Sequence, residues 1–88
     1  MELTLTTSYK IEVTSKNSKG QIASFRSIIN CELIIKKNNE ILLNKNLVAE
    51  TNYNNKDNKF ELTKYQNEIK KNLTNKIAEE IILFLNLV

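Results

Sequence analysis

The side chains that could perform chemistry in this chain of 88 residues are few and stand apart. Histidine, the commonest general base and metal ligand, is absent. Cys31 is the single cysteine, which excludes an intrachain disulfide and a cysteine zinc site. The carboxylates are scattered, and the adjacent Glu79 and Glu80 would leave a helix in different directions. No phosphate-binding loop, dinucleotide-binding glycine pattern or nucleophile elbow occurs. We therefore expect a binding or structural module, without catalytic residues, cofactor or metal site.

The net charge of +3 is mildly basic and spread along the chain. Nucleic-acid binders more often cluster their basic residues and interleave arginine with aromatic side chains, whereas Arg26 is the only arginine here. We expect mostly solvated lysines and no nucleic-acid partner. Weak contact with phosphates or with an acidic surface is the alternative.

The elements that must position these residues follow from the hydrophobic period, which changes once. Apolar residues recur at every second position from Leu3 to Tyr53, and at every third or fourth position from Leu62 to Val88. This pattern predicts one α+β domain over residues 1–88, a three-stranded antiparallel sheet with one long C-terminal helix packed on one face. We expect strands at about 2–14, 22–37 and 41–53, and the helix at about 60–87.

The predicted core rows of the strands consist of odd-numbered residues. Directly opposed residues share a face, so two odd rows must pair with an even sum of residue numbers. A two-residue Asn38-Asn39 turn would pair Lys37 with Glu40, which is an odd sum. We therefore expect a three-residue loop with a left-handed asparagine, or a bulge. The expected rows are Leu3, Leu5, Thr7, Tyr9, Ile11 and Val13, then Phe25, Ile29, Cys31, Leu33 and Ile35, then Ile41, Leu43, Leu47, Ala49 and Tyr53.

The helix has two candidate starts and an unusually apolar end. Asn58-x-x-Glu61 and Thr63-x-x-Gln66 both fit a capping box. The last two turns are apolar on most sides, which predicts that they are buried all round. The apolar stripe comprises Leu62, Tyr65, Ile69, Leu73, Ile77, Ile81, Leu85 and Val88, and the end adds Ala78, Ile82, Leu83, Phe84 and Leu87.

Four aliphatic residues remain on the even-numbered outer face of the sheet, where we expect them close together. They are either ordinary surface aliphatics or a contact surface for a partner. The β-branched content of the second strand favours ordinary surface aliphatics, whereas the apolar helix end favours a partner, because one helix cannot cover a three-stranded sheet. The four residues are Ile28, Ile34, Leu42 and Val48.

Three stretches of the chain are informative in combination. Gly20-Gln21-Ile22-Ala23-Ser24-Phe25 opens the second predicted strand, the aromatic Tyr53 closes the third, and Lys76-Ile77-Ala78-Glu79-Glu80-Ile81-Ile82 lies in the predicted helix. In this order they resemble the LPS-assembly lipoprotein family (LptE, also called RlpB), which has a similar entry into a long strand and a similar final helix. The resemblance covers the chain from about Ser8 onward.

Membership of that family would imply a subunit of the outer-membrane lipopolysaccharide transport machinery. Such subunits assist the assembly of the LptD β-barrel, plug it and bind lipopolysaccharide on the periplasmic side of the Gram-negative outer membrane. A lipidated N-terminal cysteine anchors them. The resemblance implies that this chain is the C-terminal part of the domain, without that anchor or the family's first strand and helix.

The resemblance also implies site residues. The candidate lipopolysaccharide ligands are the lysines of the first and last loops, which act on phosphates as point charges. The arginine of the family's first loop has no counterpart here, since Ser18-Lys19 stands in its place. The outer-face aliphatics would meet the barrel wall. The lysines are Lys16, Lys19, Lys56, Lys59 and Lys64.

The rival hypothesis is a small cytoplasmic β-β-β-α interaction module, oligomeric through its uncovered sheet face. A sheet-based nucleic-acid reader would present stacking aromatics, but the aromatics here belong to the inward rows.

Overall fold

In the computed structural model, which describes residues 1–86, the chain forms one antiparallel sheet followed by one helix. The elements are β1 (Glu2–Lys16), β2 (Ile22–Lys37), β3 (Glu40–Asn54) and α1 (Lys59–Leu85). The strand order is β1-β2-β3, so β2 is central and the other two strands are edges. The α+β fold and its element order are thus confirmed. The predicted helix positions Leu87 and Val88 lie outside the described residues.

The β2–β3 hairpin satisfies the parity requirement with a bulge and without a longer loop. Asn38-Asn39 forms a two-residue turn in which both residues have positive φ, 53° and 64°. Lys37 pairs with Glu40, yet further from the turn Ile35 pairs with Leu43, which restores an even sum. Of the two predicted alternatives, the bulge is confirmed; the three-residue loop with one left-handed asparagine does not form, because both asparagines are left-handed in a two-residue turn.

The bulge changes the face on which the start of β3 lies. The register shifts between Ile35 and Lys36, and Lys36 pairs with Ile41, so that Leu42 is the extra residue. Because Lys36 belongs to the outer face, the prediction that Ile41 faces the core is wrong, and its side chain is exposed. The bulge bends this end of the strand and increases its twist.

An asparagine organises each of the two chain reversals at the opposite end of the sheet. The Asn17 side chain accepts hydrogen bonds from the backbone N–H groups of Lys19 and Gln21, both at 2.9 Å. Gly20 in the same loop has φ of 78°, a conformation that glycine adopts without strain. Asn58 caps α1 and accepts from the N–H groups of Phe60 and Glu61. The first of the two predicted helix starts is confirmed.

The helix covers only two of the three strands. It packs against β2 and β3, and an α-helix about 10 Å wide spans roughly two strands spaced about 4.8 Å apart. Its buried residues are Ile69, Leu73 and Ile77. Each such side chain contributes about 1.5–3 kcal/mol when it is fully buried. The core cluster consists of Ile29, Cys31, Leu47, Ala49, Tyr53, Ile69, Leu73 and Ile77.

A buried hydroxyl cluster connects all four elements inside this core. Tyr9 of β1 donates to the Ser27 hydroxyl of β2 at 3.1 Å. Ser27 is fully buried and shares a 2.9 Å hydrogen bond with the Tyr53 hydroxyl of β3. Gln66 of α1 donates its amide N–H to the same Tyr53 oxygen at 3.1 Å. Each polar atom is satisfied, so the cluster specifies the alignment of the elements without the penalty of an unpaired buried group.

The apolar row of β1 was predicted to lie in the core, but most of it is exposed. Leu3, Leu5, Ile11 and Val13 are 42–48% exposed, and only Tyr9 of this row packs against the core cluster. The row lies on the same face as the helix, but the helix packs chiefly over β2 and β3 and reaches β1 at Tyr9, where the Lys70 ammonium lies 4.9 Å from the ring centre. The prediction failed because the helix is narrower than the three-stranded sheet. Alternation of apolar residues identifies the face on which they lie but not what covers that face.

The C-terminal end of α1 also differs from its prediction. Phe84 packs against the core cluster, whereas Ile82 and Leu83 are 58% and 64% exposed. Ala78 is exposed as well. Burial on all sides is therefore wrong for the isolated chain, and a second apolar surface lies at this end of the helix.

Candidate functional site

The two loops that carry the predicted lysines lie at the same end of the sheet. The chain passes up, down and up through the strands, so the β1–β2 loop and the β3–α1 loop meet there. Asn55 joins them, because its backbone N–H donates to the Ala23 carbonyl and its side-chain amide donates to the Ile22 carbonyl, each at 2.9 Å. These bonds hold the start of β2 against the segment that precedes α1.

A cleft of about 650 Å³ opens between the two loops. Apolar side chains of Ile22, Phe25 and Leu62 line it together with polar and charged ones. Lys56 and Lys59 contribute the positive charge. We call this feature the loop-end cleft. It can accept a ligand that has both an apolar part and an anionic part.

The five candidate lipopolysaccharide ligands are not equally placed. Lys56 and Lys59 line the loop-end cleft. Lys16 ends β1, and Lys19 lies in the loop whose Asn17 contributes to the cleft wall. All five lysines are exposed, and Lys64 is not among the residues that line the cleft. The structure therefore brings all five toward the loop end of the molecule, but only Lys56 and Lys59 line the cleft.

Two local interactions shape the charge of the loop-end cleft. The Lys56 ammonium lies 4.9 Å from the centre of the Tyr65 ring, an attractive cation–π arrangement that restrains its side chain. Asp57 also lines the cleft and offsets part of the lysine charge. Because the lysines are exposed, their attraction for an anion decreases as salt concentration rises.

The four outer-face aliphatics do not form one patch. Ile28 and Ile34 are six residues apart on β2, about 20 Å. Val48 pairs with Asn30 and lies next to Ile28, whereas Leu42 belongs to the bulge near Ile34. Polar pairs separate the two groups. The expectation that all four lie close together is wrong.

Burial further divides this set. Ile28 is only 7% exposed, since it lies in register between Lys10 and Glu50, whose long side chains flank it. Ile34 is half-buried. Val48 and Leu42 are 51% and 50% exposed and remain available to a partner. Ile28 is therefore a structural residue of this face, contrary to its assignment as a contact.

A small ionic group occupies the same face on β1 and β2. Lys10 places its ammonium 2.9 Å from one Glu12 oxygen, and Arg26 lies 3.9 Å from the other. The hydrogen bond and the charge of Lys10 lower the pKa of the Glu12 carboxyl, desolvation opposes this shift, and the charge of Arg26 adds a smaller lowering. The three side chains are partly exposed, and none of them lines the loop-end cleft.

Within residues 1–86, no group of three or more His, Cys, Asp or Glu side chains is arranged to hold a metal ion. Cys31 is buried, as predicted, and its sulfur accepts a weak hydrogen bond from Thr7 at 3.8 Å. It pairs with Thr7 and belongs to the core cluster, so it lies on the apolar face of the sheet, between the sheet and the helix. It therefore behaves as a small core residue.

No family model and no curated protein matches the sequence. Over the described range 1–86, no helix has the length and apolar character needed to cross a membrane.

Proposed function

We propose that the chain is a non-enzymatic subunit of the outer-membrane lipopolysaccharide transport and assembly machinery. In this role it binds lipopolysaccharide and assists and plugs an LptD-like β-barrel on the periplasmic side of the membrane. The specific identity of the machinery comes from the sequence resemblance to the LptE family. The observation that carries the binding role is the convergence of lysines and apolar side chains at the loop-end cleft.

The chemistry of the loop-end cleft suits an amphipathic anion. Lipopolysaccharide carries phosphates beside acyl chains, so its head requires cationic groups next to an apolar surface. Lys56 and Lys59 supply the charges, and Phe25 and Leu62 supply apolar surface within the same cleft. Lysine binds phosphate as a point charge, which suits a ligand with several possible phosphate positions.

The surplus apolar surface supports a role beside a larger protein. The exposed Ile82 and Leu83 lie outside the core, at the C-terminal end of α1. Contiguous exposed apolar surface is uncommon on monomeric soluble proteins and is typical of interaction sites. A chain enclosed by a barrel would remove such surface from water.

Binding of purified lipopolysaccharide tests the first part of this proposal. The variant Lys56→Ala/Lys59→Ala should bind roughly two- to thirtyfold more weakly at low salt, because each exposed charge contact is worth about 0.2–1 kcal/mol. The matched control is Lys36→Ala/Lys37→Ala, which removes the same charge at the opposite end of the sheet. If both double variants bind alike, the loop-end cleft is not the binding site.

Co-purification with the barrel tests the second part. Val48→Asp should keep the far-UV circular dichroism of the parent and weaken co-purification, because Val48 is exposed on the outer face. Ile34→Asp should act in the same direction with some loss of stability, since Ile34 is half-buried. Undiminished co-purification of a folded Val48→Asp variant would remove the outer face from the proposed barrel contact.

The alternative is a small cytoplasmic interaction module that is oligomeric through its uncovered sheet. The exposed β1 row favours this alternative specifically, because a second copy of the chain could cover or extend it.

A further inference from the structure

The two edges of the sheet are protected very differently. Natural edge strands avoid pairing with other chains through bulges and through charged residues that point inward. β3 has both devices. Its bulge lies at Leu42, and Lys45 pairs with Leu33 on the core face, where its ammonium reaches to 5.6 Å from the centre of the Phe84 ring.

β1 has neither device over most of its length. From Glu2 to Val13 it pairs with β2 without a register shift, and the shifts occur only after Val13. The chain contains no proline. Every charged residue of this stretch is even-numbered and therefore on the outer face. The free backbone groups of β1 are thus open to a further strand.

The exposed aliphatics of β1 are arranged symmetrically about Ser8. Leu5 and Ile11 lie three residues to either side of it, and Leu3 and Val13 lie five. In an antiparallel pair centred on Ser8, each of these residues would oppose an aliphatic residue of the other copy. A self-complementary surface of this kind is what a two-fold dimer requires.

We propose that two copies of this chain pair β1 with β1 in antiparallel register about Ser8, which forms one continuous six-stranded sheet. Leu3 then opposes Val13 of the second copy, and Leu5 opposes Ile11. The even sum of residue numbers keeps both apolar rows, and therefore both helices, on one face. The dimer leaves only the two protected β3 edges at its ends.

The positions of the charged residues on β1 are compatible with the Ser8 register. On the outer face Lys10 opposes Thr6 of the second copy, and Glu12 opposes Thr4, so no like charges meet directly. Centring the pair on Thr7 would oppose Glu2 to Glu12. Centring it on Tyr9 would oppose Leu3 to Ser15 and Ile11 to Thr7. Only the Ser8 register pairs all four aliphatics with one another.

The backbone allows the same arrangement. Residues of equal parity on a strand direct their N–H and C=O groups toward the same side, and the Ser8 register pairs residues of equal parity throughout. About one hydrogen bond forms for each paired residue of an antiparallel strand. The aliphatic row supplies the burial that a two-stranded contact in water needs.

A cysteine at the two-fold axis tests the register directly. Opposed Cα atoms of antiparallel strands lie about 4.5–5.5 Å apart, within the range of about 4.4–6.8 Å that a disulfide spans. Ser8→Cys should therefore form a disulfide-linked dimer under mild oxidation, seen on non-reducing gels. Ser8 is exposed, so the change leaves the core intact.

Thr4→Cys is the matched control on the same strand and face. In the proposed register the two copies of residue 4 are about 27 Å apart, so they should cross-link far more slowly. The wild type controls for Cys31, which is buried. Equal cross-linking of Ser8→Cys and Thr4→Cys, or of neither, would overturn the proposal.

The mass of the full chain in solution gives a second readout. The wild type should be dimeric by light scattering, and Leu5→Lys, which places a charge inward on β1 as Lys45 does on β3, should weaken the dimer at least about tenfold. Asn46→Lys on β3 adds the same charge and should leave it unchanged. A wild-type monomer at high micromolar concentration contradicts the dimer without bearing on the lysines of the loop-end cleft.

Discussion

β2 and β1 carry the same alternating pattern, yet one strand is buried and the other is not. Leu33 of β2 is fully buried, and Leu5, which pairs with it directly, is 47% exposed. The two leucines occupy the same face of the same sheet. Their difference depends only on position across the sheet, because β2 has a strand on each side and a helix above it. Hydrophobic alternation therefore specifies orientation, whereas burial depends on neighbours.

Truncating the two opposed leucines should give the largest difference. We expect Leu33→Ala to lower the free energy of unfolding by about 2–5 kcal/mol, since it leaves a cavity in the core. Leu5→Ala should lower it by about 1 kcal/mol, because roughly half of its surface is already in water. Urea unfolding at low protein concentration measures both. Equal losses would mean that β1 is covered as completely as β2.

The hydroxyl cluster lies where the covered strand β2 meets the uncovered strand β1, so variants in it compare the two strands directly. Tyr53→Phe removes a group that bonds both Ser27 and Gln66, so it should lower the free energy of unfolding by about 1–3 kcal/mol. Tyr9→Phe removes only one bond, to a Ser27 hydroxyl that keeps Tyr53 as partner. Its effect should be smaller, about 0.5–1.5 kcal/mol. Thermal unfolding of the two variants would show the order reversed if β1 held the cluster together.

The two asparagines that organise the loops should differ less. Asn58→Ala leaves two N–H groups at the start of α1 without a partner, which should cost about 1 kcal/mol. Asn17→Ala also frees two N–H groups, but the loop keeps its backbone hydrogen bonds between Asn17 and Gln21 and between Gly20 and Asn17. Its cost should be lower. Asn58→Asp should be more stable than Asn58→Ala, because aspartate can also cap the helix. If the Asp and Ala variants are equally destabilised, loss of the cap is not the cause.

The smallest expected effect is the pH dependence of the Glu12 group on the uncovered strand. Lys10 and Arg26 lower the folded-state pKa of Glu12 below its ordinary value of 4.5. The stabilisation is therefore present above the unfolded-state pKa and is lost as the pH falls through the folded-state pKa. Glu12→Gln should flatten this part of the stability profile measured by urea unfolding. The change should be slight because the pair is exposed.

The element order and the helix cap could be read from the sequence because both depend on local patterns. The switch of period specified three strands and a helix, and the capping pattern at Asn58 satisfied backbone groups within its own turn. The bulge followed from parity, but its position at Leu42 did not, since the turn could equally have been lengthened. Local physics thus determined the elements but not the exact register near the hairpin.

The site was only partly predictable for a related reason. An up-down-up topology brings the two lysine-bearing loops to one end, so the gathering of Lys56 and Lys59 beside the first loop follows from strand count. The burial of Ile28 does not, because it depends on which long side chains oppose it across both neighbouring strands. The residues that lie opposite Ile28 can be identified only when the pairing register of the strands is known. The order of residues along the chain does not determine that register.

The hydroxyl cluster also has a consequence for how the chain acquires its structure in time. Its members come from β1, β2, β3 and the second turn of α1, so it is complete only when both hairpins and the helix are in place. We expect it to form after the individual hairpins, because docking three separate segments must first overcome their chain-closure entropy. Removing the Tyr53 hydroxyl should then accelerate unfolding while leaving the folding rate almost unchanged. Under this hypothesis the cluster lengthens the lifetime of the folded state without speeding its formation.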